Sequence, residues 1–137
     1  MKKLLWLDDM RDPQTGTWLM SYAPDFDEDR DNVVWVKNYD DFVAWITENG
    51  LPYKIAFDHD LGQDEADMKV ANGMSKKKSR MEKKGIKDGK DAANWLVDYC
   101  LDNGLNIPLF TIQSANPTGA DNIKGLLLGA IKHINKN

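Results

Sequence analysis

The sequence predicts an α/β domain in which a parallel sheet of about four strands is flanked by helices. Four short apolar runs have the length and composition of buried strands, and amphipathic patterns separate the last three of them. Strands that alternate with helices form parallel sheets through right-handed crossovers. The chain has 137 residues, within the usual size of one domain, about 100–150 residues. We therefore expect a single domain over residues 1–137.

Each predicted strand is short and is bounded by polar or turn-forming residues. The first is Leu4–Leu7, which consists of large apolar side chains. The second lies in residues 32–37 and is rich in valine, a β-branched residue that favours strands. The third is Lys54–Phe57. The fourth covers residues 108–113 and begins with Pro108, at a position where a strand tolerates proline.

Capping residues and apolar periodicity predict three helices after the second strand. Asp40 is the predicted N-cap of the first helix, and Gly50 its predicted end. Asp88 is predicted to cap the second helix, which ends at Gly104. The third helix is predicted to start at Thr118 in a pattern that resembles a capping box, and to reach the C-terminus.

Two connecting segments interrupt this alternation. Residues 10–31 contain prolines and a cluster of carboxylates, which predicts a loop with a short helix around Trp18–Tyr22. Residues 63–87 contain glycines and serines among lysines, which predicts a mobile, basic insertion. A solvated loop is the simplest interpretation of this insertion. It could also cover an anionic substrate as a lid, or bind nucleic-acid backbone, and we do not expect sequence-specific DNA binding.

Composition excludes several classes of protein. The single cysteine, Cys100, rules out an intramolecular disulfide framework and a cysteine zinc site. No apolar run approaches the roughly 18 residues of a membrane span, and the apolar N-terminal stretch is too short for a signal peptide. We therefore expect a cytoplasmic protein that does not enter a membrane.

The formal net charge of −4 conceals a strong asymmetry along the chain. Residues 1–67 carry 16 acidic and 6 basic side chains, whereas residues 68–137 carry 6 acidic and 12 basic ones. An acidic half suits a metal ion and a basic segment suits a phosphate. Two solvated faces of opposite charge are the simpler alternative.

Carboxylates follow the first and third predicted strands. In an open α/β sheet the ligand crevice lies beyond the carboxyl ends of the strands, which would bring Asp8 and Asp9 near Asp58. Like charges this close favour a hard divalent cation, here Mg²⁺ or Mn²⁺. His59 and Asp60 follow directly and are candidate catalytic residues, because an imidazole beside carboxylates can transfer a proton. The alternatives are aspartates that cap helices or form turns, and a structural histidine bonded to a loop carbonyl.

A candidate phosphate site surrounds these carboxylates. Arg11 follows the first acidic pair, and a guanidinium matches phosphate geometry. Ser114, Asn116 and Gly119 lie around the start of the last helix, where free backbone amides bind phosphate and glycine permits close approach. Asn122, in the first turns, could point into the crevice. An ordinary Asn-Pro turn followed by a helix cap is the alternative.

Four segments together resemble one protein family. They are LDDMRDP at residues 7–13, FDHDLG at 57–62, GKDAANWL at 89–96 and SANPTG at 114–119. This set is similar to that of the cyclic-phosphate processing receiver domains, which are common in bacteria and phages. The resemblance covers nearly the whole chain except residues 63–87, and the combination of FDHDLG with SxNPxG is its specific part.

The resemblance implies a shortened, flavodoxin-like receiver fold. In receivers an acidic pair after the first strand and an aspartate after the third bind Mg²⁺, which matches Asp8, Asp9 and Asp58 (or Asp60). Ser114 matches the hydroxyl residue after the fourth strand. The receiver lysine after a fifth strand has no counterpart here, which argues against a phosphoacceptor function in signalling.

The resemblance also implies a function. The leading hypothesis is a metal-dependent phosphoesterase that acts on a cyclic phosphate of a nucleotide or an RNA end. The alternative is a non-catalytic receiver-like module that sequesters a nucleotide signal or binds a protein partner. Gln113 bears on this choice, because the family often has histidine at that position.

Overall fold

The computed structural model describes residues 2–61, 87–114 and 116–135. Its sheet has four parallel strands in the order β2-β1-β3-β4, which confirms the predicted fold class. The strands are β1 (Leu4–Leu7), β2 (Val33–Val36), β3 (Lys54–Phe57) and β4 (Leu109–Ile112). The inner strand β1 is apolar and buried on both faces, as expected of a strand covered on both sides.

In the described residues, four α-helices connect the strands or follow them. They are α1 (Trp18–Tyr22), α2 (Tyr39–Asn49), α3 (Gly89–Asn103) and α4 (Pro117–Ile134). Two short 3₁₀ helices, Pro24–Phe26 and Arg30–Asn32, complete the connection between β1 and β2. The short helix predicted in this connection is therefore present, whereas the two 3₁₀ helices were not predicted.

Two predicted helix starts are wrong by two residues. The N-cap of α2 is Asn38, whose side chain accepts the backbone N–H of Asp41 at 2.8 Å, and Asp40 lies inside the first turn. The N-cap of α4 is Asn116 rather than Thr118, and Pro117 occupies the first helical position. Proline suits that position because its missing N–H has no helical acceptor there.

The start and end of α3 agree with the prediction. Asp88 accepts the backbone N–H of Asp91 at 3.0 Å, and the Asp91 carboxylate accepts the backbone N–H of Asp88 at 2.9 Å. This is a reciprocal capping box. Gly104 ends the helix in the left-handed conformation, with φ of 64°, which glycine adopts without steric cost.

Alternation along the strands creates two cores of unequal size. The larger core lies between one sheet face and helices α2, α3 and α4; its buried members include Leu5, Leu7, Ile55, Phe57, Phe42, Leu96 and Leu127. The smaller core covers the other face with α1 and the first 3₁₀ helix; its members are Leu4, Trp6, Leu19, Ala23, Phe26 and Ala56. Trp18, Tyr22, Val33 and Trp35 pack against this smaller core.

The predicted basic insertion at 63–87 lies outside the described residues apart from Lys87. Within the described ranges, no helix is both long enough and apolar enough to cross a membrane.

Candidate metal centre

Three polar residues extend the sheet by one residue beyond its strands. The backbone N–H groups of Asp8, Asp58 and Gln113 donate to the carbonyls of Val36, Leu7 and Phe57 at 3.0, 3.0 and 2.9 Å respectively. Successive side chains in a strand alternate between faces. Asp8, Asp58 and Gln113 therefore lie at the carboxyl end of the sheet, on the face of the smaller core.

Asp8, Asp9 and Asp58 form the predicted acidic cluster. One ligand atom from each lies within 4.8 Å of the other two. Asp8 is 1% exposed and Asp58 is 6% exposed, so both carboxylates are largely shielded from water. Three hard oxygen donors at one point are the kind of ligand set that Mg²⁺ takes in proteins, with water completing its coordination. The donor chemistry therefore fits a hard divalent cation.

The electrostatics of Asp58 show how much negative charge this cluster concentrates. Burial and then the charges of Asp8 and Asp9 raise the pKa of Asp58 to about 8. The Arg11 guanidinium and a backbone hydrogen bond from Asp60 act in the opposite direction and are weaker. A bound cation would favour the ionised form of this group, because it would add positive charge beside the carboxylate.

The Asp8 carboxylate organises the turn that follows β1. Its Oδ1 accepts the backbone N–H groups of Met10 and Arg11, both at 2.9 Å. Its Oδ2 lies 3.3 Å from Nη1 of Arg11. Asp favours a turn of this kind because its side chain accepts backbone N–H groups of the residues that follow it. Here the turn also directs a carboxylate into the cluster.

Arg11 spans the end of the sheet from β1 to β4. Its Nη1 donates to the backbone carbonyl of Gln113 as well as contacting Asp8. The guanidinium carbon lies 5.1 Å from the ring centroid of Trp18, a cation–π geometry. The contacts with Asp8 and with the Gln113 carbonyl both use Nη1, whereas a guanidinium has five N–H donors in all. Arg11 is thus a cation that lies beside the acidic cluster.

His59 and Asp60 form a second polar group at the end of β3. The Nδ1 of His59 lies 2.8 Å from Oδ1 of Asp60, and its Nε2 lies 3.5 Å from Oδ2 of Asp88. Among the described residues, the imidazole is therefore flanked by two carboxylates and bonds to no loop carbonyl. The ring also packs on Gly119, where an added Cβ would lie 2.4 Å from the imidazole Cγ.

The predicted phosphate residues after β4 are only partly drawn together. Asn116 caps α4 and its amide nitrogen lies 3.5 Å from Oδ1 of Asp60, which links α4 to the His59 pair. The Ser114 hydroxyl accepts the backbone N–H of Asn116 at 3.1 Å. Gly119 is buried and its backbone N–H is taken by Asn116, whereas Asn122 is solvent-exposed.

Two residues gain roles at the site that sequence reasoning did not assign. Asp88, predicted only as a helix cap, also faces the imidazole of His59. Gln113 is fully buried, and its side-chain amide donates to the carbonyl of Leu7 at 3.1 Å. Its Oε1 is the buried side-chain oxygen without a hydrogen-bond partner in the described part of the chain. The sequence pointed to Asp88 as a helix cap, but only folding brings it to His59.

A four-stranded parallel sheet with an acidic pair after β1 and an aspartate after β3 defines a receiver-like α/β domain. The sequence model of one protein family, the cyclic-phosphate processing receiver domain, matches residues 3–129, and the chain belongs to that family. This confirms the family that the four sequence segments indicated. Curated proteins and solved structures contain no match to this chain.

Proposed function

We propose that this protein is a metal-dependent phosphoesterase that acts on a cyclic phosphate of a nucleotide or an RNA end. The observation that carries the proposal is the convergence of Asp8, Asp9 and Asp58 within 4.8 Å, two of them buried. Carboxylates this close disfavour one another's ionised form, and a divalent cation bound among them would offset their charge. Membership of a cyclic-phosphate processing family supports the choice of substrate.

The proposed division of labour follows the positions of the side chains. Asp8, Asp9 and Asp58 would hold Mg²⁺ or Mn²⁺, which supplies a Lewis acid to polarise a phosphoryl group and activate water. Arg11 is fixed at Nη1 by its contacts with Asp8 and the Gln113 carbonyl. Its other N–H groups would bind phosphate oxygens in the forked geometry that guanidinium favours.

Ser114, Asn116, Gly119 and Asn122 would line the far side of the phosphate site. Ser114 and Asn116 are half-buried next to the start of α4, where the helix dipole favours an anion. Asn116 also contacts Asp60, so the phosphate side of the site and the proton-transfer pair are joined by one side chain.

Asp60 and His59 would transfer a proton to or from a substrate oxygen. The side chain of Asp60 is 35% exposed and that of His59 is 16% exposed. Asp60 is therefore the partner that a substrate oxygen reaches more easily, and His59 lies behind it at 2.8 Å. Asp88 on the opposite imidazole nitrogen holds the ring in this orientation.

The proposal is tested with Asp8→Asn and Asp58→Asn variants, and with Asp102→Asn as the control. Asp102 is an exposed acidic residue near the C-terminal end of α3, so its change removes a carboxylate that lies outside the cluster. Calorimetric binding of Mn²⁺ and hydrolysis of 2′,3′-cyclic and 3′,5′-cyclic nucleotides and of cyclic-phosphate RNA ends are measured. We expect hydrolysis to fall by about 100-fold or more in both cluster variants, because even outer partners of metal ligands are worth about 10–100-fold. Unchanged rates would remove the metal role.

Gln113 favours a second candidate function. The family that the chain resembles often has histidine here, and a buried glutamine amide bonded to the Leu7 carbonyl carries no titratable proton. A receiver-like module that sequesters a nucleotide without cleaving it, or binds a protein partner, would need no such proton. Incubation with cyclic nucleotides and Mn²⁺ followed by mass analysis separates the two: intact ligand retained by the protein favours the module. Activity acquired by Gln113→His would identify the missing group.

A further inference from the structure

The loop from Asp8 to Arg11 is held at both ends by tryptophan side chains. The indole N–H of Trp35 donates to the backbone carbonyl of Asp8 at 2.7 Å. The indole N–H of Trp6 donates to the backbone carbonyl of Arg11 at 2.9 Å. These two carbonyls mark the first and last residues of the turn that presents the Asp8 carboxylate to the acidic cluster.

The two tryptophans form a cross-strand pair. Trp6 of β1 and Trp35 of β2 are partners in the parallel register. Both rings lie on the face of the smaller core, with Trp6 fully buried within it and Trp35 packed against it. Side by side on one face, they direct both indole donors to the same four-residue loop at the end of β1.

Apolar packing alone does not require an indole at either position, because phenylalanine would also present an aromatic ring to this core. The indole differs by its N–H, and a fully buried N–H without an acceptor is costly. Trp6 is 0% exposed, so its N–H depends on the Arg11 carbonyl. Each N–H joins its indole to the Asp8–Arg11 loop.

We propose that Trp6 and Trp35 are positioning residues that preform the metal-binding loop through these two hydrogen bonds. The proposal rests on the metal site of the proposed function and deepens it. With the Asp8 and Arg11 carbonyls fixed, Asp8 Oδ1 retains the backbone N–H groups of Met10 and Arg11, and Oδ2 retains the Arg11 guanidinium. A cation then meets an ordered carboxylate, and its affinity is not reduced by the population of disordered loop conformers.

The test compares Trp35→Phe with Trp45→Phe as the matched control. Both changes keep an aromatic ring and remove one indole N–H. Trp45 lies on α2 and packs against the larger core on the opposite sheet face. Two measurements are made on each protein: hydrogen exchange of the Met10 and Arg11 amides without metal, and calorimetric binding of Mn²⁺.

We expect the Met10 and Arg11 amides of Trp35→Phe to exchange about tenfold faster or more, while the amide of Leu96 in α3 keeps its protection. Binding of Mn²⁺ should weaken by about tenfold, a usual effect of losing an outer partner of a metal ligand. Trp45→Phe should match the original protein in both measurements. A purely structural loss would speed exchange in α3 equally, and would contradict the proposal.

Unchanged protection of both amides in Trp35→Phe, with Mn²⁺ affinity within twofold of the original, would also overturn it. If the unaltered protein fails to bind Mn²⁺, the metal function fails, and the exchange rates still decide whether the indoles hold the loop. Trp6→Phe is a second variant, with the same expected pattern at Arg11. Trp35 lies on β2 at the edge of the sheet, so its variant is the better tolerated of the two.

Discussion

Asp58 is the residue whose surroundings are least compatible with an isolated charge. It is 6% exposed and shares its site with Asp8 and Asp9. Its burial, and then the charges of Asp8 and Asp9, raise its pKa to about 8. At neutral pH without metal, the folded protein therefore holds a proton on Asp58 that an unfolded chain would release. In the proposed function, a cation would replace that proton and take the Asp58 carboxylate as a ligand.

This difference predicts how stability depends on pH without metal. The pKa of Asp58 is about 8 in the folded protein against 3.8 ordinarily, so the folded state binds more protons between these values and its free energy of unfolding falls as pH rises. Asp58→Asn removes this contribution. We expect the original protein to lose at least about 1 kcal/mol more than the variant between pH 5 and 8, since one pKa unit corresponds to about 1.4 kcal/mol.

Urea unfolding in the presence of a chelator at the two pH values measures this difference. Asp102→Asn serves as the control, because Asp102 is exposed and its loss should leave the pH dependence as it is. Parallel pH profiles for the original protein and Asp58→Asn would show that Asp58 is ionised in the folded state.

At the scale of single elements, the start of α3 is packed directly onto the end of β3. The Gly89 backbone N–H donates to the carbonyl of His59 at 2.8 Å. A Cβ at Gly89 would lie 1.9 Å from the backbone oxygen of Asp58, and backbone leaves little room for relief. The absent side chain of Gly89 is thus what allows the Asp88 cap to approach His59.

Gly89→Ala should destabilise the protein by about 2 kcal/mol or more, since forced overpacking typically costs about 1–3 kcal/mol. Gly125→Ala is the matched control within α4, where an added Cβ meets no atom within 4 Å. That change should stabilise the protein by about 0.5–1 kcal/mol, because alanine favours helix over glycine. Chemical denaturation of both variants checks the opposite signs, and equal effects would contradict the close approach.

The start of α4 offers a second contrast at this scale. Asn116 accepts the N–H of Gly119 at 3.0 Å, whereas Thr118 is an exposed residue of the first turn. Asn116→Ala should cost about 1 kcal/mol, the usual value of an N-cap. Thr118→Ala should change stability by less than about 0.5 kcal/mol. Denaturant midpoints for the two variants decide which residue caps the helix.

At the scale of the whole molecule, the strand order determines what the site contains. β1 and β3 are neighbours, so Asp8 and Asp58 end side by side, and β4 adds Gln113 next to β3. Arg11 then closes the row by reaching from the loop after β1 to the Gln113 carbonyl. The acidic cluster is therefore a product of the topology and is shared by several elements.

A ligand that binds only this assembled site must stabilise the entire fold. We expect Mn²⁺ at about 100 times its Kd to raise the free energy of unfolding by about 2.7 kcal/mol. The gain is expected because the cluster exists only in the folded chain. Asp8→Asn should abolish it, because that change removes one of the three proposed ligands. Denaturation with and without Mn²⁺ measures it, and a metal-induced gain that survives in Asp8→Asn would place the ion elsewhere.

The four strands and their alternation with helices were predictable, because short apolar runs such as Leu4–Leu7 have the length and composition of buried strands. Helix caps were less predictable. Asn38 lies two residues before Asp40, and Asn116 lies two before Thr118; each pair offers two side chains suited to capping. Local composition does not separate such neighbours, and packing of the helix against the sheet makes the choice.

The acidic cluster was also predictable. Ligand sites of open α/β sheets lie beyond the carboxyl ends of the strands, so the prediction needs only the strands and the residues that follow them. The partners of His59 were not. Asp60 is adjacent in sequence, but Asp88 and Gly119 come from two later helices, and each contact depends on how closely those helices approach β3.

The sequence by itself determined the parallel α/β class, the family, and the acidic residues at the strand ends, because periodicity and motifs are local properties of the chain. Only the tertiary structure decided that two indole N–H groups hold the Asp8–Arg11 loop, that Arg11 joins β1 to β4, and that Asp88 faces His59. Hydrogen bonds of this kind join side chains to carbonyls and carboxylates on other elements. Their geometry is set by strand register and helix packing, which no single segment contains.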